Sequence, residues 1–220
     1  LLSIEYGLGG PHMVFTSGGA AGGHALAYGV AAIRNGSAPC VLAGGVEALS
    51  EPLYRGAAAA GWLSPNDGAR EDCRPLSLSR NGVVLGEGAA IFALESEGHA
   101  VRQEAGIHAW VVGVHTAAGA FDAISGALAD AEVAPSEIDL IVAASGGLPE
   151  VDAEEAEAAR SLFDAGVAIC APKALFGETL GAGGPLNLAV AMVALADGFA
   201  PATPGILDPI VEGLSPVRVP

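Results

Sequence analysis

Two stretches of this chain read as variants of one another. "GGHALAYGVAAIRNG" (22–36) and "GGPLNLAVAMVALADG" (183–198) are both glycine-led apolar helices that stop at glycine. Setting Gly22 against Gly184 also matches Leu26 with Leu188, Ala27 with Ala189, Ala32 with Ala194 and Gly36 with Gly198, an offset of 162 residues. That offset is far too long for a solenoid repeat. It points to a duplicated half-domain, with a shared bias toward Ala and Gly as the competing explanation. A fold built from two equivalent halves is a narrow class.

The segments around these helices read as α/β layering. "HMVFTS" (12–17) and "APCVLAGG" (38–45) are short apolar runs bounded by glycine or proline, as buried strands are. Residues 51–82 read as an irregular excursion rich in turn formers. "VVLGEGAAIFALES" (83–96) reads as two strands around a glycine turn, followed by a helix to 105 and a strand at 107–114. A helix near 119–131, a strand at 138–145, an acidic helix at 152–163, a strand at 167–172 and a helix at 184–197 complete the alternation.

Composition narrows the function. Half the residues are hydrophobic (51%) and 15% charged, enough for a sizeable core. Twenty-five acidic against nine basic residues give a net charge of −16, which repels nucleic acid and anionic membranes. No run of 18 apolar residues occurs, so no membrane span is expected. Glu5 interrupts the first apolar run, unlike a signal peptide. Cys40, Cys73 and Cys170 are odd in number and lack a C-x-x-C pair, which fits a reducing cytoplasm and inert buried thiols.

The loop "FTSGGAAGGHAL" (15–26) invites three readings. As a phosphate cradle it fails, having neither G-x-G-x-x-G nor a GK[ST] ending. It also lacks the G-x-S-x-G serine elbow, since Phe15 takes the first glycine position. A catalytic loop without its nucleophile remains. Histidines 12, 24, 99, 108 and 115 show no metal-ligand spacing, so no metal and no cofactor are expected, and His24 stands out only for lying in the first turn after the loop. Asp152, Glu154, Glu155 and Glu157 read as the solvated face of a helix. Lys173 is the only lysine, placed between a buried strand and a glycine turn, and the residues leave a snorkelling surface cation and a pocket cation equally open.

Taken together, the blocks "GPHMVFTSGGAAGGHALAYGVAAIRNGSAPCVLAGGVEALSEP", "NGVVLGEGAAIFALE", "AASGGLPEVDAEEAEA" and "PKALFGETLGAGGPLNLAVAMVAL" resemble the β-ketoacyl synthases. The resemblance implies a thiolase-like α-β-α layered fold of duplicated halves, incomplete at both ends, with 1–96 as the latter part of the first half and 97–220 as the second. Condensing members carry a cysteine and two histidines. Counting from "AGG" at 43–45 puts the cysteine position at Gly19, the first histidine at Ala144 or Ser145, and the second at Glu178, while Lys173 matches the family lysine. Gly19 offers no thiolate, Ala144 no donor to an enolate oxygen, and an ionised Glu178 would repel that charge.

A scaffold kept without its nucleophile is similar to the chain length factor, the second ketosynthase-like subunit of type II polyketide synthases. "GLPEVDAEEA" resembles that branch's G-V-P-E-L-D stretch, although its customary glutamine is absent at Gly19. The resemblance implies a heterodimer with a catalytic ketosynthase, an acyl tunnel at the shared interface, and Met13, Val14, Phe15 and Thr16 pairing across the two-fold axis. Acyl carrier protein, itself acidic, would then dock mainly through the partner. The alternatives are a divergent decarboxylase or acyl hydrolase using Glu178, Lys173 or Ser17, and a purely structural stabiliser.

Overall fold

In the computed structural model, residues 2–65, 68, 71–206, 208–210 and 213–217 are described. Part of the turn-rich "SPNDGARED" stretch lies outside them. The chain opens with a short helix α1 (Leu2–Glu5). A 3-10 turn at Gly18–Ala20 then leads into α2 (Ala21–Arg34), and β1 (Cys40–Glu47) follows. Helix α3 (Glu51–Ala59) occupies the start of the segment expected to be irregular. Its N-terminus is fixed locally, because Ser50 accepts a hydrogen bond from the Leu53 N–H and Pro52 sits in the first turn, where its missing N–H costs nothing.

Strand β2 (Gly88–Glu95) returns antiparallel to β1, with Cys40 opposite Glu95 and Glu47 opposite Gly88. The expected partner strand at 83–85 is reduced to single bridges, Val83 to Leu63 and Leu85 to Glu178. After α4 (Glu97–Arg102) and α5 (Ala120–Ala131), a parallel sheet forms in the order β3 (Leu140–Val142), β4 (Ala168–Cys170), β5 (Ser215–Pro216). Helices α6 (Pro149–Leu162), α7 (Lys173–Phe176) and α8 (Gly183–Asp197) complete the chain. Leu76, Ala143, Ala156, Ala159, Ile169 and Leu214 make the core between α6 and this sheet.

Two expected strands do not form. Residues 12–17 and 107–114 join no ladder among the described residues. A strand needs a neighbour for its backbone N–H and C=O groups, and this chain places none beside 12–17. The 107–114 segment is held by side chains instead: Arg34 donates to the Val112 carbonyl and Asp130 accepts from the Val114 N–H.

The repeat seen in the sequence is a structural one. The 3-10 turns at Gly18–Ala20 and Leu180–Ala182 stand 162 residues apart, and so do the starts of α2 and α8. The two copies meet at their glycines. A β-carbon on Gly22 would overlap the Gly181 carbonyl and the Pro185 ring, and one on Gly184 would lie 3.5 Å from the Gly23 nitrogen. Gly45 of β1 faces the Gly181 carbonyl just as closely. Backbone therefore packs on backbone here, and at Gly22 and Gly45 only glycine fits. Gly45→Val is expected to lower stability by about 3 kcal/mol or more, read as a fall in the urea midpoint; a shift below a third of that would mean the backbones separate freely.

The continuous helical stretch Leu180–Asp197 has a mean hydropathy of 1.4 over 18 residues, enough by length and composition to cross a membrane. One face of it packs against β1, β2, β3 and α2, while Val193 and Leu195 are exposed.

Candidate functional site

The site is assembled where the two glycine turns and the loop after β3 converge. Lys173 opens α7 and is buried, which removes the snorkelling alternative. Five residues later, Glu178 turns back beneath it. The Nζ–Oε2 distance is 2.6 Å, with both side chains at least 87% buried. The second carboxylate oxygen, Oε1, accepts the Leu180 N–H at 2.8 Å, which ties the pair to the start of the second glycine turn. A buried ammonium needs a counter-charge at this range, and Glu178 supplies it.

Small residues wall the pair in. A β-carbon on Gly146 would lie 3.0 Å from Glu178 Oε2, and one on Gly183 would lie 3.3 Å from Lys173 Cε. Gly146 belongs to the loop that carries Ala144 and Ser145, so the residues expected at two of the three positions, Ala144 and Glu178, fall on adjoining segments. Ala144 is exposed, and Ser145 is fully buried. Gly19 lies in the first glycine turn, which packs against the second. It is exposed, and a β-carbon there would meet nothing within 4 Å. The position matched to a nucleophile is open space.

The loop after β3 is held by the acidic helix, contrary to the expectation of a solvated face. Asp152 has no exposed surface. Its Oδ1 accepts the N–H groups of Gly146 and Gly147, both at 3.1 Å, and its Oδ2 accepts that of Leu76 at 2.9 Å. Burial holds its carboxyl above the usual carboxylate range, against the pull of these donors. Glu155 latches the same loop one turn on, accepting the Ala144 N–H at 2.7 Å and the Ser145 hydroxyl at 2.5 Å. Charge pattern alone hid this, because α6 also carries exposed acids such as Glu150 and Glu157. The usable signal was Gly146-Gly147 shortly before a helix start, a pair of N–H groups free to converge on one carboxylate.

None of the three cysteines presents a thiolate. Cys73 is buried with its Sγ 3.2 Å from the Lys173 carbonyl and 3.5 Å from that of Gly146, and burial pushes its thiol up to about 11. Burial pushes Cys170 likewise to about 11. Cys40, the first residue of β1, is exposed, and its thiol is raised by its partial burial and by Glu95. All three are protonated at neutral pH.

Of the histidines, His99 pairs with Glu95 at 2.6 Å. His24, set apart in the sequence by its place in the first turn after the loop, has its Nδ1 2.7 Å from the Ser17 hydroxyl. The serine and histidine are seven residues apart, a spacing that matches no local motif. Among the described residues no group of three His, Cys, Asp or Glu is placed to hold a metal. The interface candidates Met13, Val14 and Thr16 are exposed, Val14 to 84%, while Phe15 is half-buried against Tyr28. An apolar cavity of about 290 Å³ between α2, β2 and α8 contains none of these residues.

Comparison with known proteins places this geometry. The family model for the β-ketoacyl synthase N-terminal domain matches residues 1–100, and that for its C-terminal domain matches residues 95–206. Nodulation protein E of Rhizobium leguminosarum bv. trifolii is 35% identical over 222 aligned positions, covering 94% of this chain and 54% of that protein. Among solved structures, a β-ketoacyl synthase from Burkholderia phymatum superposes with a TM-score of 0.91 at 28% identity, covering 99% of this chain and 57% of the other. The ishigamide ketosynthase/chain length factor superposes with a TM-score of 0.81 at 31% identity, covering 92% and 52%. The chain spans about half the length of the curated relatives it matches.

Proposed function

Because this chain belongs to the β-ketoacyl synthase family and has its thiolase-like fold, we propose that it is a non-condensing ketosynthase-like subunit: it pairs with a catalytic ketosynthase and shapes the acyl-chain tunnel at their interface, as a chain length factor does. One observation carries the reading. The two charged groups, Lys173 and Glu178, are spent on each other at 2.6 Å, and Gly19, matched to the nucleophile, is exposed with open space where a side chain would stand.

Each step of condensation needs something these residues do not offer. An acyl group must be held covalently, and Gly19 has no side chain to hold it. Negative charge developing on a thioester oxygen must meet donors or cations, and here the cation is already neutralised by a carboxylate. What the site retains is shape, a close-packed glycine crossing with a fixed loop beside it. On this reading, 1–96 and 97–220 are the two thiolase-like halves, and the complex is cytoplasmic.

Partner choice follows from the surface. Residues 13–16 carry exposed Met13 and Val14 with no ladder partner among the described residues, an edge suited to pairing with the equivalent strand of another subunit. The net charge of −16 disfavours direct docking of an acidic acyl carrier protein, so the ketosynthase partner supplies that contact.

Val14→Asp is expected to cut co-purification with a catalytic ketosynthase at least tenfold, because it sets a charge into a paired edge. Co-expression of the wild-type protein with ketosynthases of differing product range should shift product chain length. Normal pairing by the Val14→Asp protein would sink the interface, and unchanged product length would reduce the subunit to a stabiliser.

A further inference from the structure

The Ser17–His24 pair is not accounted for by that reading, since neither residue occupies a position matched to the family cysteine, histidines or lysine. Ser17 sits where residues 11–17 turn into the first 3-10 turn, with φ −91° and ψ 33°, and Gly18 follows in the left-handed region at φ 61°. This abrupt change of direction leaves the serine exposed beside α2. Its Oγ is 2.7 Å from His24 Nδ1, a hydrogen bond in which the hydroxyl can donate to the ring nitrogen. Phe15 lies against the imidazole with ring centroids 6.1 Å apart and against Tyr28 at 5.9 Å. Tyr28 is one helical turn beyond His24, so the three rings form one apolar wall. The opposite side is clear, because β-carbons added at Gly18, Gly19 or Gly23 would meet nothing within 4 Å.

We propose that Ser17 is a nucleophile with His24 as its general base, giving this chain an acyl hydrolase activity toward neutral acyl thioesters. The activity is independent of the non-condensing role, which needs no nucleophile. Ser17 Oγ attacks the thioester carbonyl carbon as its proton passes to His24 Nδ1. The C–S bond then breaks, and the departing sulfur takes that proton and leaves as a free thiol. Water attacks the acyl-serine carbonyl, giving a proton to Nδ1; the bond from Oγ to the acyl carbon breaks, and the proton returns to Oγ as the carboxylic acid departs.

Chemistry selects the substrate class. Among the described residues no carboxylate hydrogen-bonds His24, and a dyad without that third group suits a leaving group as good as a thiolate, not an amine. The −16 charge disfavours anionic esters, and the Phe15–Tyr28 wall offers apolar contact to a short acyl chain.

The test uses butyryl-N-acetylcysteamine with the full-length protein, any co-purified ketosynthase first being alkylated with iodoacetamide so that its cysteine is silent. Thiol release is followed with a chromogenic disulfide, and a fluorophosphonate probe is mapped by peptide mass. Saturable release is expected, falling at least 100-fold in both Ser17→Ala and His24→Ala, the size of a lost nucleophile or base. The probe should mark the Ser17 peptide and stop doing so in His24→Ala. Release by Ser17→Ala within twofold of wild type, or a fluorophosphonate that leaves Ser17 unmarked, overturns the proposal. Partner capture and product length, which test the subunit role, are unaffected by either result.

Discussion

Asp152→Asn is expected to destabilise the protein by about 3 kcal/mol or more, although the two side chains differ by a single atom type. The buried carboxylate sees only donors: Gly146 and Gly147 on Oδ1, Leu76 and Gly147 on Oδ2. An amide keeps the volume but turns one of the two acceptors into an NH2 group. Whichever way it is flipped, N–H then faces N–H, and at least one backbone donor is left buried and unpaired. Each such donor costs about 1–3 kcal/mol, and the opposed amide adds repulsion. Against a usual stability of about 5–15 kcal/mol this is a large share.

The consequence reaches the site, because the same carboxylate sets the path of residues 146–147 beside Glu178. The urea midpoint should fall and cleavage by a nonspecific protease near 144–148 should accelerate. A variant within about 0.5 kcal/mol of wild type would show that the loop holds its shape without the carboxylate.

Glu178→Ala should cost about as much, roughly 3–5 kcal/mol, by leaving the Lys173 ammonium buried without a counter-charge. The measurement that separates this from a simple packing loss is the double variant. Lys173→Met with Glu178→Leu removes both charges and fills the space, and it should be markedly more stable than Glu178→Ala, short of wild type mainly by the Leu180 N–H left without its acceptor. If the double variant is no better than the single one, charge is not what fails. A Lys173–Glu178 lock also predicts that the ion pair resists salt, since both side chains are at least 87% buried and screening acts on exposed pairs.

Much of the fold was legible beforehand. The 162-residue offset located both glycine-led helices; that they meet where Gly22 and Gly45 face the Gly181 carbonyl, contacts only glycine allows, came from the fold. Strands β1, β3 and β4 and helices α2, α5, α6 and α8 fall close to where hydrophobic pattern and breakers put them. The failures share a cause. An apolar run such as "HMVFTS" states that a segment is fit to pair, but a ladder also needs a neighbour, and neighbours are a property of the whole arrangement.

For the site, residue types settle what each side chain can do: Gly19 cannot be a nucleophile wherever it is placed, and Ala144 cannot donate. Tertiary structure alone decided what the remaining groups do. Asp152 and Glu155 look like any other acids on a helix until the loop after β3 folds onto them and their burial makes each hydrogen bond count. Lys173 and Glu178 are five residues apart, a separation that fixes neither distance nor burial; only the turn between α7 and the second glycine turn brings Nζ to 2.6 Å from Oε2. The sequence determined which side-chain chemistry stands at each position, because that is written in residue identity. Where its charges ended up depended on low-dielectric contacts between distant segments, which exist only once the chain has folded.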